Sequence, residues 1–143
     1  MNKDIELLDY IYQNAEMGLV GIDSIIEKVS DENLEHLILE QREEYKTIME
    51  EAKEIYKKYG KDEKELSKLT KLSSNIMTEM MMITKKGETN LIAKMMIEGS
   101  NKGIIAITEK INNIETTDEE IKELAQKLLR TEQHNLDELK KYL

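Results

Sequence analysis

A chain of 143 residues, 39% hydrophobic and 36% charged, can bury one sizeable core, and with no proline and 6 glycines it favours helix over sheet. The absence of cysteine excludes disulfides, thiolate metal sites and cysteine nucleophiles. A formal net charge of -9 has the wrong sign for neutralising phosphates or anionic lipid, so neither nucleic acid nor a membrane surface is an expected partner.

The first helix is predicted over about 3–29. Ile5, Leu8, Tyr12, Ala15, Leu19, Ile22, Ile26 and Val29 recur at steps of three and four, the seam of a bundle helix. Asp4, Glu6 and Asp9 fall where a secretory signal needs an uninterrupted apolar stretch. No later uncharged run approaches the ~18 residues of a membrane span, so the expected location is the cytoplasm. Ser30-Asp31 then reads as an N-cap opening a second helix over 31–59. Its apolar row is Leu34, Ile38, Tyr45, Ile48, Ala52, Ile55 and Tyr59, with Gln41 on the core step between Ile38 and Tyr45.

Gly60 reads as the glycine beyond a helix end, and Asp62 with Glu65 as a capping box opening a third helix over 62–86, closed by Lys85-Lys86-Gly87. Met77, Met80, Met81, Met82, Met95 and Met96 read as gap-filling core residues rather than soft-metal ligands. A fourth helix, 88–114, carries Gly99, Ser100 and Gly103, small residues that let backbones approach closely. Thr117 with Glu120 forms the clearest capping box and opens a fifth helix over 117–142. Ile121, Ala125, Leu128, Leu139 and Tyr142 form its seam, with Glu132 and Asn135 on the two steps in between. Connections this short make consecutive helices antiparallel, so the expected fold is all-α: one domain, 1–143, an up-down bundle of five long helices.

In such a bundle the helix midpoints share one height. Glu16, Glu44, Ser73, Glu98 and Glu132 lie near them and fall within about 6 Å of one another along the axis at 1.5 Å of rise per residue. Four carboxylates from four helices are thus expected to converge. A glutamate in the middle of each of two helices, with glutamate-based pairs on two others, resembles the ferritin-like superfamily of di-iron proteins. The stretches IEGSNKGIIAI and TEQHNLDELKKYL are similar to small uncharacterised bacterial bundle proteins grouped with it.

The resemblance implies a four-helix core with the 62–86 helix as crossover. Glu16 and Glu98 would stand at the single-glutamate positions and Glu132-x-x-Asn135 at one pair. Gln41-x-x-Glu44 or Glu40-x-x-Glu43 would stand at the other. No Glu-x-x-His pair occurs, and His36 and His134 lie off the layer.

No phosphate loop, nucleophile elbow or Ser/His/Asp arrangement is present, and a closed bundle leaves little room for a substrate. The leading expectation is a non-enzymatic bundle without cofactor that acts by self-association, as a homodimer, or by binding a protein partner. The alternative is an iron or manganese protein with Glu16, Glu44, Glu98 and Glu132 as ligands and redox or storage activity. A third reading is an acidic adaptor that docks a partner helix in a Met-lined groove. Burial of Glu132 beside another carboxylate would raise its pKa through desolvation and like-charge repulsion.

Overall fold

Helices form where the apolar period and the caps place them. The computed structural model describes residues 2–61 and 88–143, and these contain α1 (Asn2–Ile25), α2 (Glu32–Lys58), α3 (Thr89–Asn113) and α4 (Glu119–Leu139). Single 3-10 turns, Ile26–Lys28 and Lys140–Tyr142, follow α1 and α4. Among the described residues there is no strand, and no helix is long and apolar enough to cross a membrane. The expected third helix, 62–86, lies outside the described residues, as do its caps, Ser73 and methionines 77, 80, 81 and 82.

The ends of α2 follow the local code. Asp31 is its N-cap and accepts the Leu34 N–H at 2.9 Å. At the other end Gly60 takes φ +70, with Gly60 N–H donating to Lys57 O and Lys61 N–H to Tyr56 O, both at 3.0 Å. Those two bonds make a Schellman motif, which needs the left-handed residue that glycine supplies without a Cβ clash.

The start of α4 departs from expectation by one residue. Asp118, not Thr117, is the N-cap, and its carboxylate accepts the N–H groups of Glu120 and Ile121 at 2.9 and 3.2 Å. Thr117 is engaged elsewhere: its N–H and hydroxyl both donate to Asp4, at 2.8 and 3.0 Å. A carboxylate from the start of α1 has displaced the local capping box, a tertiary contact overriding a propensity.

Side-chain pairs fix the directions. Along α2 and α4, Gln41 meets Asn135, Glu51 meets Lys127 and Lys58 meets Glu120, so the two run antiparallel. Asp23 meets Arg42 across α1 and α2, while Asn14 meets Gly103 and Tyr10 meets Lys110 across α1 and α3. The helices therefore neighbour one another in the ring α1, α2, α4, α3, each antiparallel to the next. Consequently α2 and α3 run the same way, and Lys61 and Glu88 stand at opposite ends of the bundle.

Both α2 and α4 bury the rows read from their sequences, including Gln41, Glu132 and Asn135, except for the end residues Tyr59 and Tyr142, which are only partly buried against the core. Helix α1 packs against all three partners, so its buried face is broader than the predicted seam: Leu7, Ile11 and Ile25 join the core, while Leu19 and Ile26 of that seam are only partly buried. Each such side chain contributes roughly 1.5–3 kcal/mol by leaving water.

Candidate functional site

Four of the six glycines, Gly18, Gly21, Gly99 and Gly103, fall on the facing sides of α1 and α3. Their missing side chains leave a cavity of about 390 Å³ between these helices, closed by Gln41 and Tyr45 from α2 and by Glu132 from α4. The bundle thus has the room that a closed packing was expected to deny. Gly18 and Gly103 are also needed for approach. A Cβ on Gly18 would lie 2.8 Å from the Tyr45 ring, and one on Gly103 would overlap the Glu132 carboxylate. Asn14 sets the spacing of the two walls by donating its Nδ2 to the Gly103 carbonyl at 3.0 Å.

Glu132 is the chemical centre of this cavity. It is 1% exposed, and neither carboxyl oxygen has a hydrogen-bond partner. Burial alone pushes its pKa up to about 8. The like-charge repulsion expected from a second carboxylate has no part in that shift. Gln41 and Asn135 lie beside it in the interior, Gln41 Nε2 donating to the Asn135 carbonyl at 3.5 Å. Burial, and then the negative charge of Glu132, pushes the Tyr45 hydroxyl well above its ordinary value.

The other three glutamates do not join it. Glu98 is exposed; Glu16 and Glu44 are only partly buried, each with a pKa raised mainly by desolvation. Lys53 pulls Glu16 back down, and His134 does so for Glu44. Among the described residues no group of three or more His, Asp or Glu side chains is placed to hold a metal ion. Counting turns fixes height along the axis but not direction around each helix, and the four carboxylates share the first without the second. His36 is exposed and pairs with Glu40 at 2.9 Å, while His134 is exposed on α4.

Sequence reasoning singled out Gln41, Glu132, Gly99, Ser100 and Gly103 but missed Gln13, Asn14, Gly18, Gly21 and Tyr45 as parts of the same site. A signal was present. A glycine inside a helix costs about 1 kcal/mol relative to alanine, so Gly18, Gly21, Gly99 and Gly103 in two helix middles mark places where space or close approach outweighs helix stability. Comparison of the chain with protein-family models, with curated proteins and with solved structures returns no match.

Proposed function

We propose that this chain is a ferritin-like helical bundle in the cytoplasm, a non-enzymatic binding protein whose mid-bundle cavity is a chamber for a small organic ligand. The single observation that carries this reading is Glu132, fully buried, without a partner, and facing a cavity of about 390 Å³. A buried polar group left unsatisfied costs roughly 1–3 kcal/mol, more when charged, and a ligand that pairs with it removes that cost. The cavity lies within the ~300–1,000 Å³ of small-molecule sites. Support for the ferritin-like part comes from two antiparallel hairpins, α1–α2 and α3–α4, joined so that α2 and α3 are parallel, the arrangement a single long crossover produces.

A fragment screen read by ligand-observed NMR tests the chamber. Gly99 lines it, yet an added Cβ there meets no atom within 4 Å, so Gly99→Leu narrows the space while the fold is kept. Fragments that bind the wild type and are lost in Gly99→Leu support the reading. A wild type that binds none of them overturns it.

The iron-or-manganese alternative fits the donors less well. Of Glu16, Glu44, Glu98 and Glu132 only the last is in the interior, and the described residues hold no cluster of donors around it. Metal analysis of desalted protein tests that alternative: two tightly held ions per chain, lost in Glu132→Gln, would establish it. Self-association or a protein partner has less support. The exposed large apolar side chains among the described residues, Leu39, Leu91, Ile105 and Leu143, are spread over α2, α3 and the C-terminus.

A further inference from the structure

In and around the chamber, both carboxyl oxygens of Glu132, Nε2 of Gln13 and Nδ2 of Asn135 are buried without a partner. The two amides differ in kind from the carboxyl. Half a turn about its last bond exchanges the NH2 and oxygen of an amide, so Gln13 and Asn135 can meet a donor or an acceptor. Ionised, Glu132 offers acceptors only. Its two bare oxygens therefore set what a ligand must bring.

Among the described residues no cation pairs with Glu132. Lys102 and Lys110 line the chamber, and Lys102 adjoins Gly103, the residue against the carboxyl. Neither bonds to it. Lys102 is exposed to solvent, and Lys110 is held 4.1 Å over the Tyr10 ring. Burial is the single cause of the raised Glu132 pKa, whereas an ammonium at close range would lower it. A bare metal ion is a poor substitute, since no group of three or more His, Asp or Glu side chains among the described residues could enclose it. Met17, Ile22, Met96 and Ile107 line the same space, so a ligand that also carries hydrocarbon gains by burying it there. Charge-assisted hydrogen bonds are about twice as strong as neutral ones, which favours an ammonium over a hydroxyl as the donor.

Building on the chamber reading, we infer that the ligand is a small organic amine, bound as the ammonium ion with its N–H groups donating to Glu132 and its hydrocarbon part against the methionine and isoleucine side chains. Below pH 8 the carboxyl is mostly protonated, so the arriving ammonium displaces that proton: the Glu132 O–H bond breaks, the proton leaves to solvent and an ion pair remains. The other titratable groups on the lining are Tyr10 of α1, Tyr45 of α2 and the two lysines of α3, types that ordinarily ionise at pH ~10. Glu44 and His134 act on one another off the lining. Proton release on binding is therefore assigned to Glu132.

Titration calorimetry with the full chain tests this, using butylamine, hexylamine and octylamine. Hexanol, hexanoate and hexyltrimethylammonium are controls that lack the charge, reverse it, or lack the N–H groups. The expected result is saturable binding of at least one amine, with each control at least 10-fold weaker. Repeating the titration in buffers of different ionisation enthalpy should show release of close to one proton per amine at pH 6.5 and almost none at pH 9. Affinity should be about 30-fold higher at pH 9, as a site pKa of about 8 requires. Glu132→Gln, which keeps the shape and removes the charge, should weaken the amine at least 10-fold, abolish the proton release and leave hexanol unchanged. Any control binding as tightly as the amines, Glu132→Gln binding them as well as wild type, or wild-type uptake at pH 6.5 without proton release would overturn the assignment. Should none of these probes bind while the fragment screen yields ligands lost in Gly99→Leu, the amine is wrong and the chamber stands. Failure of both screens removes the chamber itself.

Discussion

Among the described residues two carboxylates, Asp4 and Glu132, are buried, and they are treated in opposite ways. Asp4, at the end where α1 begins, is 5% exposed and accepts three hydrogen bonds, from Thr117 N–H at 2.8 Å, Thr117 Oγ1 at 3.0 Å and Asp118 N–H at 3.3 Å. Glu132, at mid-height, is 1% exposed and accepts none. Burial works to raise both pKa values; at Asp4 the hydrogen bonds outweigh it and hold the carboxyl below its ordinary range, while at Glu132 it acts alone. Depth of burial therefore does not say what a charge does for a protein. Asp4 ties together the start of α1 and the turn before α4, with Tyr59 from the end of α2 bonded to the neighbouring Asp118. Glu132 accepts no hydrogen bond, so the carboxylate ties are made at the end of the bundle and not at its middle.

The sharpest way to break this contrast is pH. For Glu132 the folded pKa is raised above the unfolded ~4.3. Its contribution to stability is fully present below that value and is lost as pH rises through about 8. Between pH 5 and pH 7.5 that loss is roughly 3 kcal/mol in urea unfolding. Glu132→Gln should abolish most of it, whereas the exposed control Glu119→Gln should retain it. Equal pH profiles in the two variants would mean that Glu132 is solvated.

For Asp4 the sign is reversed. A depressed folded pKa gives a contribution present above the unfolded ~3.9 and lost as pH falls through the folded value. Asp4→Ala strands the N–H groups of Thr117 and Asp118, and should cost about 2–3 kcal/mol at neutral pH, since hydrogen bonds to charged groups contribute ~1.5–3. Thermal unfolding at pH 7 and pH 2.5 would show it, with the deficit shrinking in acid. A deficit that stays constant over that range would assign the loss to packing rather than to the carboxylate.

The middle of the bundle offers a paired substitution of smaller effect. Gly103→Ala sets a methyl against the Glu132 carboxylate, the end of a flexible side chain that must shift, and should forfeit the roughly 1 kcal/mol that alanine gains in helix propensity, giving no net stabilisation. Gly99→Ala meets open space and should instead stabilise by about 0.5–1 kcal/mol through helix propensity and a less flexible unfolded chain. Chemical unfolding that moved both the same way would contradict the close approach of α3 to Glu132. At the tied end the smallest change is Tyr59→Phe, which deletes one bond to Asp118 and should cost about 1 kcal/mol. A neutral result there would leave Asp4 as the main tie.

Helix positions and inward faces were legible in the residues, because both depend on interactions within one or two turns. The three-and-four spacing of α2 and α4 identified their buried rows apart from Tyr56 and Leu124, and the polar residues that interrupt those rows, Gln41, Glu132 and Asn135, proved to be interior. Asp31 and Gly60 likewise announced the ends of α2, through a carboxylate that reaches an N–H three residues on and a backbone angle that glycine adopts freely. The rest was decided between helices. Thr117 gave up its cap to a partner 113 residues away, Glu98 turned outward while Glu132 turned in, and glycines on α1 and α3 opened a cavity only because those two helices face one another. Local free energies set period and caps. Contacts between distant segments, and the empty space between two helices, are properties of the packed pair, which no single segment encodes.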